Sequence, residues 1–172
     1  KKYWENYLEN DLFGFIEDML KSGKVKNIGF SFHDDLRTFK KIVDAYDWSF
    51  CQIQYNYLDD KYQAGEEGYF YAIDKGLDVI IMEPLRGGKL VNDIPPKVMD
   101  IWDKAECKRS PVQWALQWLW DKPGVKVVLS GMSDFSQVEE NLEYADESAV
   151  DLLTESELAI INEVKTFYKE RM

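Results

Sequence analysis

Cysteine is nearly absent: the 172 residues hold two, Cys51 and Cys107, and no CxxC pair. That excludes a disulfide framework, and both read as structural thiols. Histidine occurs once, at His33, within a turn-like His33-Asp34-Asp35, where a turn residue with satisfied hydrogen bonds is the simplest reading. Positive charge is also short. Twenty-one Lys and Arg face 32 Asp and Glu, for a net charge of −11 and a pI near 4.6. Such a surface repels nucleic acid and anionic membranes, so neither is an expected partner. No apolar run reaches the roughly 20 residues that span a bilayer, and KKYWENYLEN lacks the core of a signal peptide. The expectation is a cytoplasmic protein. No 20–50-residue sequence repeat occurs either.

What is present suffices for a core. Hydrophobic residues make up 45% and aromatics 15%, so 1–172 is expected to form one domain with no linker. The sequence opens at Lys1 directly into a helical pattern, which reads as a piece of something longer.

Taken in order, Trp4, Leu8, Leu12, Phe15, Ile16 and Met19 form an amphipathic stripe over 3–21, interrupted by Gly14 and ended by Gly23. A strand is expected over 26–32, a helix over 36–46, and a strand over 50–55, where Gln52 and Gln54 share one face and need partners. A helix then ends near Gly76, and DVIIMEP at 78–84 forms a third strand before the flexible LRGGK. Helices follow over 98–107 and from Pro111 to Trp120, with Trp114, Trp118 and Leu119 on one buried face. Thr154 to Glu157 is a capping box for a last helix reaching about Lys169.

The segment that organises the rest is VKVVLSGMSDFSQVEENL, 125–142. Val127, Val128 and Leu129 are expected to form a strand buried on both faces. Gly131 permits a tight turn, and Asp134 with Gln137 makes a capping box, so a strand empties onto a helix N-terminus; spacing alone reads as an ordinary βα turn, and the end is also suited to an anion. Strand then helix, four times over, requires a parallel sheet. Either an open doubly wound sheet or part of a (β/α)8 barrel fits, and in both the ligand gathers at the C-terminal strand ends. Ser31 and His33, Gln52 to Asn56, Glu83 to Gly88 and Gly131 to Ser133 all lie there. The carboxylates are too numerous to single out a catalytic pair, although Glu83 stands at a strand end.

Five ordered motifs, GKVKNIGFSFH, CQIQYNYLD, VIIMEPLRGGKL, SPVQWALQWL and VVLSGMSDFSQVEENL, closely resemble the C-terminal half of an aldo-keto reductase. The nearest likeness is to a bacterial branch whose longer members carry a ferredoxin-like iron–sulfur tail, although the cysteine cluster of that tail does not appear. The resemblance implies an α/β (β/α)8 TIM barrel, of which this chain supplies about the last four βα units. It also implies an oxidoreductase that uses NADPH to reduce aldehydes and ketones to alcohols.

By that resemblance Ser31 and Gln52 hold the nicotinamide carboxamide and Met82 takes the place of an aromatic stacked on the ring. Pro84, Leu85, Arg86 and Gly88 form the pyrophosphate-side loop, and Gly131, Met132 and Ser133 the phosphate loop. Gln137 replaces an arginine that clamps the 2′-phosphate, which leaves NADH open as a cofactor, and Glu140 and Asn141 match the pair on the adenine. The family's catalytic Asp, Tyr, Lys and His match no residue here and are expected upstream, so the segment alone is expected to be inactive. No metal site is expected. The alternative is a non-catalytic nucleotide-binding scaffold of the same fold. Substrate and oligomeric state stay open.

Overall fold

The computed structural model describes residues 2–171. Four strands, β1 (Gly29–Phe32), β2 (Phe50–Gln54), β3 (Asp78–Met82) and β4 (Val125–Val128), form one sheet in the order β1-β2-β3-β4. Every adjacent pair is parallel, with Ser31 opposite Gln52 and Gln52 opposite Ile80. Chain order equals spatial order, as in a barrel, whereas a doubly wound sheet reverses direction at a switch point.

Burial gives the same answer. Phe32, Cys51, Ile53, Val79 and Ile81 are buried on one face, where α4 (Gly65–Asp74) packs on β2 and β3 and α6 (Pro111–Trp120) on β4. The alternate residues Gln52, Gln54, Ile80 and Met82 are only half-buried on the other face. A sheet with helices on one side and an open inner face is part of a (β/α)8 barrel; a doubly wound sheet is covered on both sides.

The helical layer is held by aromatic packing. Trp102, in α5 (Pro96–Trp102), stacks on Trp114 with centroids 5.0 Å apart, and Tyr55 stacks on Tyr69 at 5.6 Å. Trp114 and Leu119 are fully buried and Trp118 nearly so, as their spacing requires. Ser110 caps α6 through Gln113 N–H, and Pro111 occupies the first helical position. The last helix, α8 (Glu155–Lys169), carries the expected capping box, in which Thr154 and Glu157 satisfy each other's backbone N–H groups.

Three local expectations are corrected. The stripe over 3–21 is two helices, α1 (Lys2–Glu9) and α2 (Leu12–Lys21), broken at Asp11 rather than at Gly14. Asp11 adopts φ 52° and caps α2 by accepting from Gly14 N–H, and a Cβ at Gly14 would lie 2.3 Å from that carboxylate. Gly14 thus makes room for the cap. Leu8 and Phe15 are consequently exposed.

The expected helix over 98–107 runs instead from Pro96 to Trp102, because Pro at its start fixes the helical φ. Finally, β4 is an edge strand and is not buried on both faces: Val127 and Leu129 are 44% and 42% exposed. Its apolar run reads as central because such runs normally have neighbours on both sides. The remaining helices are α3 (Leu36–Val43) and α7 (Phe135–Asp146).

Candidate functional site

The C-terminal end of β3 runs into a loop built from left-handed backbone. Glu83, Arg86, Gly87 and Gly88 all have positive φ, and at Gly88 a Cβ would lie 2.6 Å from Asn92 Nδ2. Asn56, fully buried after β2, secures this loop: its Nδ2 donates to the Glu83 carbonyl at 3.1 Å, while its Oδ1 accepts from Leu58 and Asp59 N–H. Asp59 in turn pairs with Arg86 Nε at 3.0 Å. The strand ends at Asn56 and Glu83 are therefore tied into one rigid rim.

β4 ends beside this rim and passes through Ser130 and Gly131 into α7. Nothing lies within 4 Å of a Cβ built at Gly131, so the turn faces open space. Asn141, one and a half turns into α7, reaches back to Ser130 Oγ at 3.3 Å. Between the two loops lies a cleft of about 550 Å³, lined by Glu83, Pro84, Leu85, Gly87, Gly88, Val91, Asn92, Val112, Leu129, Ser130, Gly131, Ser133, Gln137, Glu140 and Asn141. That volume is within the ordinary range for a small-molecule site.

The helix N-terminus at this cleft differs from the expected capping box. Asp134 Oδ1 accepts from Ser136 N–H at 2.9 Å, and Gln137 Oε1 accepts from Ser133 N–H at 2.9 Å, so the two caps are offset by one residue. The side-chain and backbone hydrogen bonds from Ser136 hold the Asp134 carboxyl below the usual carboxylate range. An ionised carboxylate and a carboxamide therefore already occupy donors that looked free for an anion.

Of the residues singled out from sequence, Pro84, Leu85, Gly88, Gly131, Ser133, Gln137, Glu140 and Asn141 line the cleft together. Arg86 sits in the same loop, with its side chain on Asp59. Met132 is exposed outside the cleft lining. Gln52 and Met82 meet on the inner sheet face, where Gln52 Nε2 donates to Met82 Sδ at 3.6 Å, and Gln54 accepts from Gln63 Nε2 at 3.4 Å. Both amides thus have partners.

Ser31 and His33 lie elsewhere, in an apolar groove of about 850 Å³ between the free edge of β1 and the α1–α2 pair. Asn56 was placed at its strand end without a role, and Asp59, Asn92 and Ser130 were not singled out for this site. The Asn-x-x-Asp spacing at 56–59, an Asx-turn signature directly after a strand, was the available signal. Among the described residues no group of His, Cys, Asp and Glu could hold a metal ion, and no helix is long and apolar enough to cross a membrane.

Comparison with known proteins gives these positions a context. Residues 3–166 match the model of the Aldo/keto reductase family. Among solved structures, the aldo-keto reductase AKR11C1 of Bacillus halodurans, in its holo form, aligns with a TM-score of 0.70 at 20% identity, over 86% of this chain and 53% of that one. An aldo/keto reductase of Klebsiella pneumoniae, in complex with NADP and acetate, aligns with a TM-score of 0.68 at 21% identity, over 87% and 51%. This chain spans about half the length of the structures it matches. No curated protein matches it.

Proposed function

Because the chain belongs to the aldo/keto reductase family, we propose that it is the cofactor-holding part of an oxidoreductase that reduces aldehyde or ketone substrates to alcohols with NADPH. The observation that carries this reading is the cleft, which gathers the Pro84–Gly88 and Gly131–Asn141 loops at the C-terminal strand ends. The Klebsiella pneumoniae reductase is a complex with NADP, which supports the same class of cofactor. The reading puts the nicotinamide end toward Gln52 and Met82, reached by Ser31 only through its place opposite Gln52 in the sheet, the pyrophosphate along Pro84, Leu85, Arg86 and Gly88, and the adenosine against Gly131, Met132, Ser133, Gln137, Glu140 and Asn141. The dinucleotide, when bound, supplies a hydride to the carbonyl carbon.

The chain's own residues bind and orient, and the tyrosines that follow β2 do not suit the role of proton donor to the forming alkoxide. Tyr55 and Tyr57 are buried, and burial pushes both hydroxyls well above the normal tyrosine range, away from acidity useful near neutral pH. Lys75 is paired with Asp44 at 2.7 Å. The reading therefore assigns the acid to a part of the protein beyond residues 1–172. Titrating the chain with NADPH while following nicotinamide fluorescence tests it. One-to-one binding weakened severalfold by Asn141→Ala, without carbonyl turnover, is expected. Absence of binding at millimolar NADPH would refute it.

A further inference from the structure

We infer that the adenosine end of this cleft offers no counter-charge to a 2′-phosphate, so that NADH binds at least as tightly as NADPH. The inference rests on the dinucleotide reading above and specifies which dinucleotide the site favours. Among the described residues no Lys, Arg or His lines the cleft, whereas Glu83 and Glu140 both do. Arg86, in the rim loop, is committed to Asp59. The imbalance extends beyond the lining. From Val127 to Val164 there is no Lys, Arg or His at all, against ten Asp and Glu.

The lysines flanking that stretch are engaged elsewhere. Lys126 pairs with Asp78 at 3.8 Å, Lys122 lies over the Trp118 ring at 3.8 Å, and Lys165 and Lys169 both bind Asp60.

Backbone donors compensate only in part. A helix N-terminus holds phosphate through free N–H groups and dipole. At α7, Ser133 N–H is taken by Gln137 and Ser136 N–H by Asp134, whose carboxylate already uses the positive end of the dipole. A 2′-phosphate placed there would meet a helix end that already carries the Asp134 carboxylate, and would face Glu140 as well. A ribose with a free 2′-hydroxyl meets no such repulsion: the hydroxyl can donate to Glu140 Oε, for which no hydrogen bond or ion pair is seen among the described residues. A carboxylate accepting from a ribose hydroxyl is also how other dinucleotide sites select the unphosphorylated cofactor.

Calorimetric titration of the chain with NADH, NADPH, ADP and adenosine 2′,5′-bisphosphate at low and high salt tests the inference. Like-charge repulsion across several ångströms of wet cleft makes NADPH weaker by about fivefold at low salt, and the gap narrows as salt screens it. ADP should likewise bind more tightly than the bisphosphate. NADPH as the tighter ligand, or the bisphosphate tighter than ADP, would overturn the inference while leaving the dinucleotide reading intact. Failure of all four to bind would overturn that reading and the inference with it.

Two variants guard the assignment. Gln137→Arg should tighten NADPH by about tenfold with little change for NADH, and Glu140→Gln should narrow the gap between the two. If neither variant moves the NADPH to NADH ratio, the 2′ position does not lie at α7 and the inference fails.

Discussion

Replacing Glu157 should destabilise the fold more than any substitution on the solvated acidic face. Its carboxylate makes an ion pair with Arg109, and both side chains are only 10% exposed. It also accepts from Thr154 N–H at 2.9 Å, closing the α8 capping box, while the Arg109 guanidinium lies 4.7 Å from the centre of the Trp114 ring. Removing one partner of such a buried pair leaves the other charge uncompensated, which costs about 3–5 kcal/mol. Loss of the cap falls within the same perturbation. Glu157→Ala should therefore lower stability by about 4 kcal/mol, or a Tm shift of about 8–16 °C at this chain length.

The pH dependence has a definite sign. Burial disfavours the ionised carboxyl, but hydrogen bonds from Arg109 and Thr154 outweigh it and hold the group below its ordinary value. A depressed native pKa contributes stability above the unfolded value, near 4.5, and loses it as pH falls through the native value. Urea unfolding of wild type, Glu157→Ala, Arg109→Ala and the double variant measures both effects. A Glu157→Ala loss below about 1 kcal/mol at pH 7 would refute the reasoning, because exposed pairs give values of that size. So would a wild-type advantage that grows rather than shrinks as pH falls below the ordinary carboxylate range.

Two further outcomes follow from exposure. Cys51 is fully buried and burial pushes its thiol up to about 12, whereas Cys107 is exposed, so a thiol reagent at pH 8 should label Cys107 alone until denaturant is added; prompt labelling of both would contradict the packed β2. The chain exposes 10279 Å². A folded monomer of its 20.2 kDa should expose roughly 8,800 Å². With β1 and β4 as free sheet edges, residues 1–172 alone should self-associate in sedimentation velocity, and a monodisperse, cooperatively unfolding 20.2 kDa monomer would count against the open-barrel geometry.

The elements that sequence made legible are those whose signal is local. The Thr154–Glu157 capping box, Ser110 before Pro111 and the Trp114–Trp118–Leu119 face each depend on residues within one or two helical turns, and each formed as its pattern requires. The alternation in FCQIQ likewise separated buried Cys51 and Ile53 from Gln52 and Gln54. What was not legible depends on partners distant in sequence. VKVVL carries the apolar pattern of a central strand, and only the sheet order, with no strand beyond β4 among the described residues, leaves Val127 and Leu129 exposed.

At the site the same division decides the chemistry. Glycine and amide spacing located the Gly131–Asn141 loop, but whether its amides are free depends on side-chain choices that spacing does not encode. Asp134 can cap at the second or third helical residue with the same sequence, and it takes Ser136, whose hydroxyl adds a second bond at 2.8 Å. That leaves Gln137 to turn back onto Ser133. Two N–H groups of a turn that could receive an anion are thereby taken by its own side chains. The selectivity of the cleft then falls to the ionised groups around it, and these are negative.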